Sequence, residues 1–354
     1  AKDYKSKIMN FLNMSEKEFF GFFKDIFECG KKDSTYKFAF ARFLVDYSKQ
    51  DNPKSHVEFS TISEYFLKYF WPQVCRSNLK HNGHSDTEPT VVKSIKTHFT
   101  DFPYTQNYEQ IKKKYPEKIK KCIEELSNPK LSNTFCFGDV TYAFQRIGDD
   151  FGNDKFFHYE EIGKKNKHRK NPVPKIDGDY GIDIIPGALV FFKKYNYILG
   201  KIVILEWSRF LEKFNLNTPK IIEKTEGGNI ERDLAKASKF RKILLESGFN
   251  TCFYKESHHF DKISSKEIHA DHVIPFDYIR EDEIWNYVLA CQECNCKKSA
   301  YLPPPIFLKK LIDRNNLERE RIPELKKSLK KIGNDPTSIS KIIRKHYQNA
   351  LDDG

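Results

Sequence analysis

Between residues 267 and 302 the chain reads EIHADHVIPFDYIREDEIWNYVLACQECNCKKSAYL. Asp271 and His272 are adjacent, Asn286 follows, and Cys291, Cys294, Asn295 and Lys298 close the stretch. These types in this order suit hydrolysis of a phosphodiester with a single divalent cation. The reaction needs a base to activate water and a cation to offset charge on the phosphate. An imidazole has an ordinary pKa of about 6.5, so His272 can take a proton near neutral pH. Asp271 is a hard oxygen donor of the kind Mg²⁺ or Mn²⁺ prefers, and the amide oxygen of Asn295 is a second. Asn286 can hydrogen-bond the imidazole of His272 and fix it. Lys298 lies one turn beyond Asn295 on the same helical face, where an ammonium meets a phosphate as a point charge.

Three elements must position these groups. A strand is predicted from Glu267 to Asp271 and a second from Asn286 to Ala290, rich in Tyr, Val and Leu. A helix is predicted to start near Asn295. The intervening Pro275 to Ile284 carries Pro, Asp and Glu and reads as a loop.

The words DHVIPF, WNYVLACQECN and CNCKKS resemble the HNH (ββα-metal) nucleases. The resemblance extends over roughly 60 residues beginning near Phe240. Upstream, STYKFAFARFLVD (34–46), YFWPQ (69–73) and ILEWSRFLEKFN (204–215) resemble segments that accompany such domains in microbial HNH proteins of the restriction and defence type. The resemblance implies that His272 is the general base and that Asp271 and Asn295 hold the catalytic divalent metal. It also implies that Asn286 supports the loop and the base, which makes this an H-N-N variant. Many relatives hold a structural zinc on two Cys-x-x-Cys pairs. Here Cys291 and Cys294 form one pair, but Cys252 is followed by Lys255 where a second Cys would stand. A tetrahedral Zn²⁺ on Cys252, Cys291 and Cys294 needs a fourth donor. Cys296, His258 and His259 are the candidates; the alternative is a knuckle held by packing alone. His269, two residues before Asp271, reads as a strand residue rather than a ligand, and Trp285 as core.

The 354 residues carry 61 Lys and Arg against 49 Asp and Glu, a net charge of +12. That favours a polyanion, and nucleic acid fits. No apolar run is long enough to span a membrane, and the first residues, AKDYKSKIMN, lack the apolar core of a signal peptide, with a trimmed start left open. Of the eight Cys only those at 252, 291, 294 and 296 cluster. These features point to a reduced, cytoplasmic protein with no membrane partner.

Taken in order, helices are expected at 4–28, 34–47, 61–71, 91–99 and 106–126, with Pro116 opening a new one, and strands within 131–160. The basic run Lys164 to Lys170 reads as a loop. Residues 187–215 read as a buried helix and 216–228 as a linker. Residues 231–248 read as an amphipathic basic helix, with Arg232, Lys236, Lys239, Arg241 and Lys242 placed to touch DNA backbone, joined by Lys297 in the last helix of the module. After Pro303-Pro304-Pro305, helices are expected at 306–318, 322–332 and 337–350, to brace the module or extend the DNA surface.

The sequence thus predicts a mainly α protein with a small α+β module. Its parts are a helical domain (1–130), a mixed region (131–230), the basic helix and HNH domain (231–302) and a C-terminal helical extension (303–354). The expected function is metal-dependent cleavage of DNA, taken as double-stranded, in restriction or antiphage defence, with a protein or nucleic-acid activator and with oligomers open. The alternatives are a nucleic-acid-binding module with a non-catalytic HNH fold, and an RNase.

Overall fold

The computed structural model describes residues 14–28, 35–82, 88–99, 107–127, 156–158, 161–166, 169–172, 181–216, 218–227 and 233–352. Expected strands in 131–155 and the expected phosphate contact Arg232 lie outside them. The chain forms two compact units, one from most of the first 227 residues and one from Gly228–Gly354 with two short upstream pieces.

The first unit is mainly helical. Its described elements are α1 (Glu16–Glu28), α2 (Tyr36–Tyr47), β1 (His56–Glu58), α3 (Phe59–Trp71), α4 (Thr90–His98), α5 (Tyr108–Lys114) and α6 (Pro116–Ser127). There follow β2 (Phe157–His158), β3 (Glu161–Asn166), β4 (Arg169–Pro172), β5 (Gly181–Ile184), α7 (Pro186–Lys194), α8 (Asn196–Glu212) and α9 (Ile221–Glu226). In α2 the sequence YKFAFARFLVDY has apolar residues on every side, so the helix is central. It packs on α3, α7 and α8, among Phe38, Phe40, Phe43, Phe66, Phe70 and Trp207. Even Lys37 is buried, and its ammonium donates to the Ile26 carbonyl at 3.2 Å.

A small antiparallel sheet runs in the order β1-β5-β2. Gly181 permits its close approach, since a Cβ there would run into the Val57 carbonyl and the His56 ring. Three expectations are corrected. Of the basic run read as a loop, residues 164–166 lie on β3 and 169–170 on β4, which pair antiparallel. The helix expected over 187–215 divides at Tyr195 into α7 and α8. The linker expected at 216–228 contains α9.

The second unit holds α10 (Leu234–Glu246), β6 (Thr251–Cys252), β7 (Lys255–His259) and β8 (Ile268–His272). It continues with α11 (Phe276–Ile279), β9 (Tyr287–Cys291), α12 (Gln292–Lys298), α13 (Pro305–Glu318), α14 (Pro323–Leu329) and α15 (Pro336–Asp352). Asp233 caps α10 by accepting the Lys236 amide at 3.0 Å. Strands β8 and β9 pair antiparallel from Ile268↔Cys291 to His272↔Tyr287, and α10 and α12 pack on both. The ββα arrangement is therefore present, with two local corrections. Helix α12 begins at Gln292, so Asn295 stands in its second turn rather than at its start. The loop after β8 contains one helical turn, α11, stopped by Arg280 in a left-handed conformation (φ 53°).

The C-terminal helices brace this core. Arg314 and Asn315 of α13 both donate to the Trp285 carbonyl at 3.0 Å. The α14 residue Ser328 accepts from the Trp285 amide at 3.4 Å. Trp285 itself is buried, as expected of a core residue.

Candidate nuclease site

Alternation along β8 decides what each side chain meets. His269 and Asp271 fall on one face, and Ala270 and His272 on the other. On the first face, α12 presents Asn295 and Lys298, which lie three residues apart and so share a side of the helix. Two contacts result. The Asn295 side-chain amide nitrogen lies 2.9 Å from His269 Nδ1, and the Lys298 ammonium lies 3.2 Å from Asp271 Oδ2. The i, i+2 pair of the strand thus meets the i, i+3 pair of the helix.

Asp271 is 2 % exposed, and its Oδ2 also accepts the Tyr254 hydroxyl at 2.6 Å. Burial, followed by the charge of Asp271, holds the Tyr254 phenol far above its ordinary pKa, so it stays a neutral donor. Both contacts fall on Oδ2. Asp271 and the amide oxygen of Asn295 are hard donors that fit Mg²⁺ or Mn²⁺. Lys298, the residue expected to meet phosphate, is paired with Asp271.

His272 is not part of that cluster. It is fully buried, its ring centroid 3.9 Å from that of Tyr287 and 5.3 Å from that of Phe276. Its Nε2 lies 3.2 Å from Asp282 Oδ1. Asp282 is also held by the Tyr287 hydroxyl and by the Asp233 backbone amide at 3.0 Å. Burial works against the charge of Asp282, but these donors outweigh it and bring the carboxyl down to about 2.

Asn286 binds backbone rather than the imidazole. Its side chain accepts from the Ile274 amide at 2.9 Å and donates to the Ile274 carbonyl at 2.8 Å. It staples the chain two residues beyond His272 and fixes the ring only through that loop.

The cysteines form a second centre. The thiols of Cys252, Cys291 and Cys294 lie within 4.8 Å of one another. His258 Nδ1 lies 3.2 Å from Cys291 Sγ and 3.9 Å from Cys294 Sγ. Tetrahedral zinc with Zn–S near 2.3 Å separates neighbouring ligand atoms by about 3.5–3.8 Å, so this donor set fits. Of the three candidates for a fourth donor, His258 is beside the thiols. The β6–β7 hairpin brings it there, pairing Cys252 with Lys255 and Thr251 with His259. Burial pushes the Cys291 thiol up, but the His258 ring and the Cys294 amide more than offset this, and it falls to about 7. The centre ties that hairpin to the β9–α12 junction, one residue from Asn295.

The expected DNA-contact residues of α10 point in different directions. Arg241 lines an open groove of about 300 Å³ along β8, together with Ser238, Lys266, His269 and Asn295. Lys236 lines a separate pocket beside Asp282. Lys239 and Lys242 are exposed, with Lys242 paired to Glu246 at 3.7 Å. Lys297 is exposed and paired to Glu293 at 2.5 Å. Sequence reasoning missed Tyr254, Lys266 and Asp282. A single Asp in a loop carries no spacing signal, and Tyr254 reaches Asp271 only through the hairpin.

A ββα hairpin-and-helix of this kind, with Asp271 on its first strand and Asn295 on its helix, defines an HNH domain. Residues 252–304 match the model of a family described as HNH endonuclease. Residues 18–227 match a family described as a domain of unknown function (DUF8808), and the chain belongs to that family. No curated protein and no solved structure matches the chain. No described helix is long and apolar enough to cross a membrane.

Proposed function

We propose that the chain is a metal-dependent endonuclease that hydrolyses DNA phosphodiesters. The observation that carries this reading is the apposition of His269 and Asp271 on β8 to Asn295 and Lys298 on α12, inside the segment that matches the HNH endonuclease model. Asp271 and Asn295 hold the divalent ion, and His269 orients the Asn295 amide. Bound there, Mg²⁺ or Mn²⁺ supplies stabilisation of the charge that builds on the phosphate. His272 takes the proton of the attacking water. Lys298 shares its charge between Asp271 and the phosphate, and Arg241 and Lys266 hold the backbone of the strand along the groove. Zinc on Cys252, His258, Cys291 and Cys294 fixes the start of α12.

One observation favours a second assignment of the base. His272 is enclosed by Phe276 and Tyr287, whereas His269 is half-buried and opens on the groove. In that reading His269 takes the proton and His272 is structural.

Specificity for a site or a trigger falls to the DUF8808 unit or to an activator, and a restrained nuclease of this kind suits restriction or antiphage defence. A panel of duplex DNA, single-stranded DNA and RNA tests the substrate class. Metal-dependent cuts in duplex DNA alone support the reading. Cuts confined to RNA would make the enzyme a ribonuclease, and binding of all three without cleavage would make the domain a binding module.

A further inference from the structure

We infer that Asp282 is the positioning residue of His272, fixing which ring nitrogen carries the proton; the inference rests on the proposal that His272 is the base. The carboxylate is built in from three sides. Its Oδ1 accepts the Tyr287 hydroxyl and faces His272 Nε2 at 3.2 Å, and its Oδ2 accepts the Asp233 amide at 3.0 Å. Its side chain is 8 % exposed and that of His272 is 0 % exposed. Tyr287 serves twice, since its ring lies against the imidazole while its hydroxyl holds the carboxylate.

A carboxylate accepts hydrogen bonds and cannot donate them. The neutral imidazole therefore carries its proton on Nε2 and its lone pair on Nδ1. The second ring nitrogen of a histidine is set by the partner of the first. Nδ1 is then the atom that removes the proton from water. Through the Asp233 amide, which begins α10, Asp282 also links this ring to the helix that carries Arg241. The arrangement is separate from the metal donors, because Asp271 and His272 sit on opposite faces of β8 and share no partner among Tyr254, Lys298, Tyr287 and Asp282.

The test compares the full chain with Asp282→Asn, an isosteric change whose amide can turn its nitrogen toward the ring. Histidine labelled with ¹⁵N gives the tautomer from long-range proton–nitrogen spectra, with His272→Ala identifying the resonance. Single-turnover nicking of plasmid with Mn²⁺ gives the rate. The wild type should show the Nε2–H form. In Asp282→Asn the Nδ1–H form should appear, and kcat should fall about 100-fold, the low end for losing general-base catalysis, with KM unchanged. Asp282→Glu should restore the Nε2–H form. If the Asn variant does not fold, Tyr287→Phe serves, and an unchanged kcat there overturns the inference. An unaltered tautomer or an unaltered rate in folded Asp282→Asn also overturns it. A wild type that never cleaves defeats the proposed function instead, and the tautomer spectra then decide the role of Asp282 alone.

Discussion

Lys298 and Asp271 form an ion pair of 3.2 Å with side chains only 6 % and 2 % exposed. A buried pair is costly to break from one side, because the remaining charge is left in a poorly solvating place. In this molecule the pair bridges α12 to β8 at the position where the metal is proposed to bind.

Lys298→Met therefore has two expected effects. Without metal the variant loses about 3 kcal/mol of stability, since Asp271 stays buried without its cation. With Mn²⁺ it recovers more of its thermal midpoint than the wild type gains. Thermal unfolding with and without the ion measures both, and equal shifts in the two proteins would remove Asp271 from the metal site.

The cysteine centre predicts about one zinc per chain by elemental analysis. His258→Ala and Cys252→Ser should each lose it, while Cys296→Ser and His259→Ala should keep it. Retention of zinc by His258→Ala would leave the fourth donor elsewhere. Chelation should also loosen α12, seen as faster amide exchange at Asn295 and Lys298.

The acid limb of stability has a defined sign. Asp282 has a carboxyl lowered from 3.8 to about 2. A depressed carboxyl stabilises the fold in full above its unfolded value, near pH 4, and the contribution fades as pH falls through about 2. The size is about 2 kcal/mol at neutral pH. Urea midpoints between pH 6 and 2 should fall less steeply for Asp282→Asn than for the wild type. Parallel curves would show that the carboxylate contributes nothing there.

Charge reversal at Arg241 and Lys266 should weaken DNA binding and lower its salt slope by about two ions. The same change at Lys236, which lines the pocket beside Asp282 instead of the groove, should leave the slope nearly intact. Fluorescence titrations at several salt concentrations separate the two.

The parts of this site that the sequence disclosed are those with short-range periodicity. Asp271, Asn295 and Lys298 declare themselves because a strand repeats every two residues and a helix face every three or four. Asn286 was legible by its place between the strands, but its bonds to the Ile274 backbone were not. His258 joins the thiols through a hairpin whose sequence, Cys252 to His259, contains no familiar ligand spacing. Asp282 is one of three consecutive acids, Glu281, Asp282 and Glu283, and only the structure shows which of them faces the ring. In the first unit, α2 was legible from apolar residues near helical spacing, Tyr36, Phe40, Phe43, Leu44 and Tyr47, whereas the β3–β4 pair hid beneath a run of charge that reads as loop.

The most direct test is conversion of supercoiled plasmid to nicked and linear forms with Mg²⁺, Mn²⁺ or EDTA, using wild type, Asp271→Ala, His272→Ala and His269→Ala. The account predicts metal-dependent nicking that disappears in Asp271→Ala and His272→Ala and persists, at a higher metal requirement, in His269→Ala. Full activity in His272→Ala, or cleavage that survives EDTA, would contradict it.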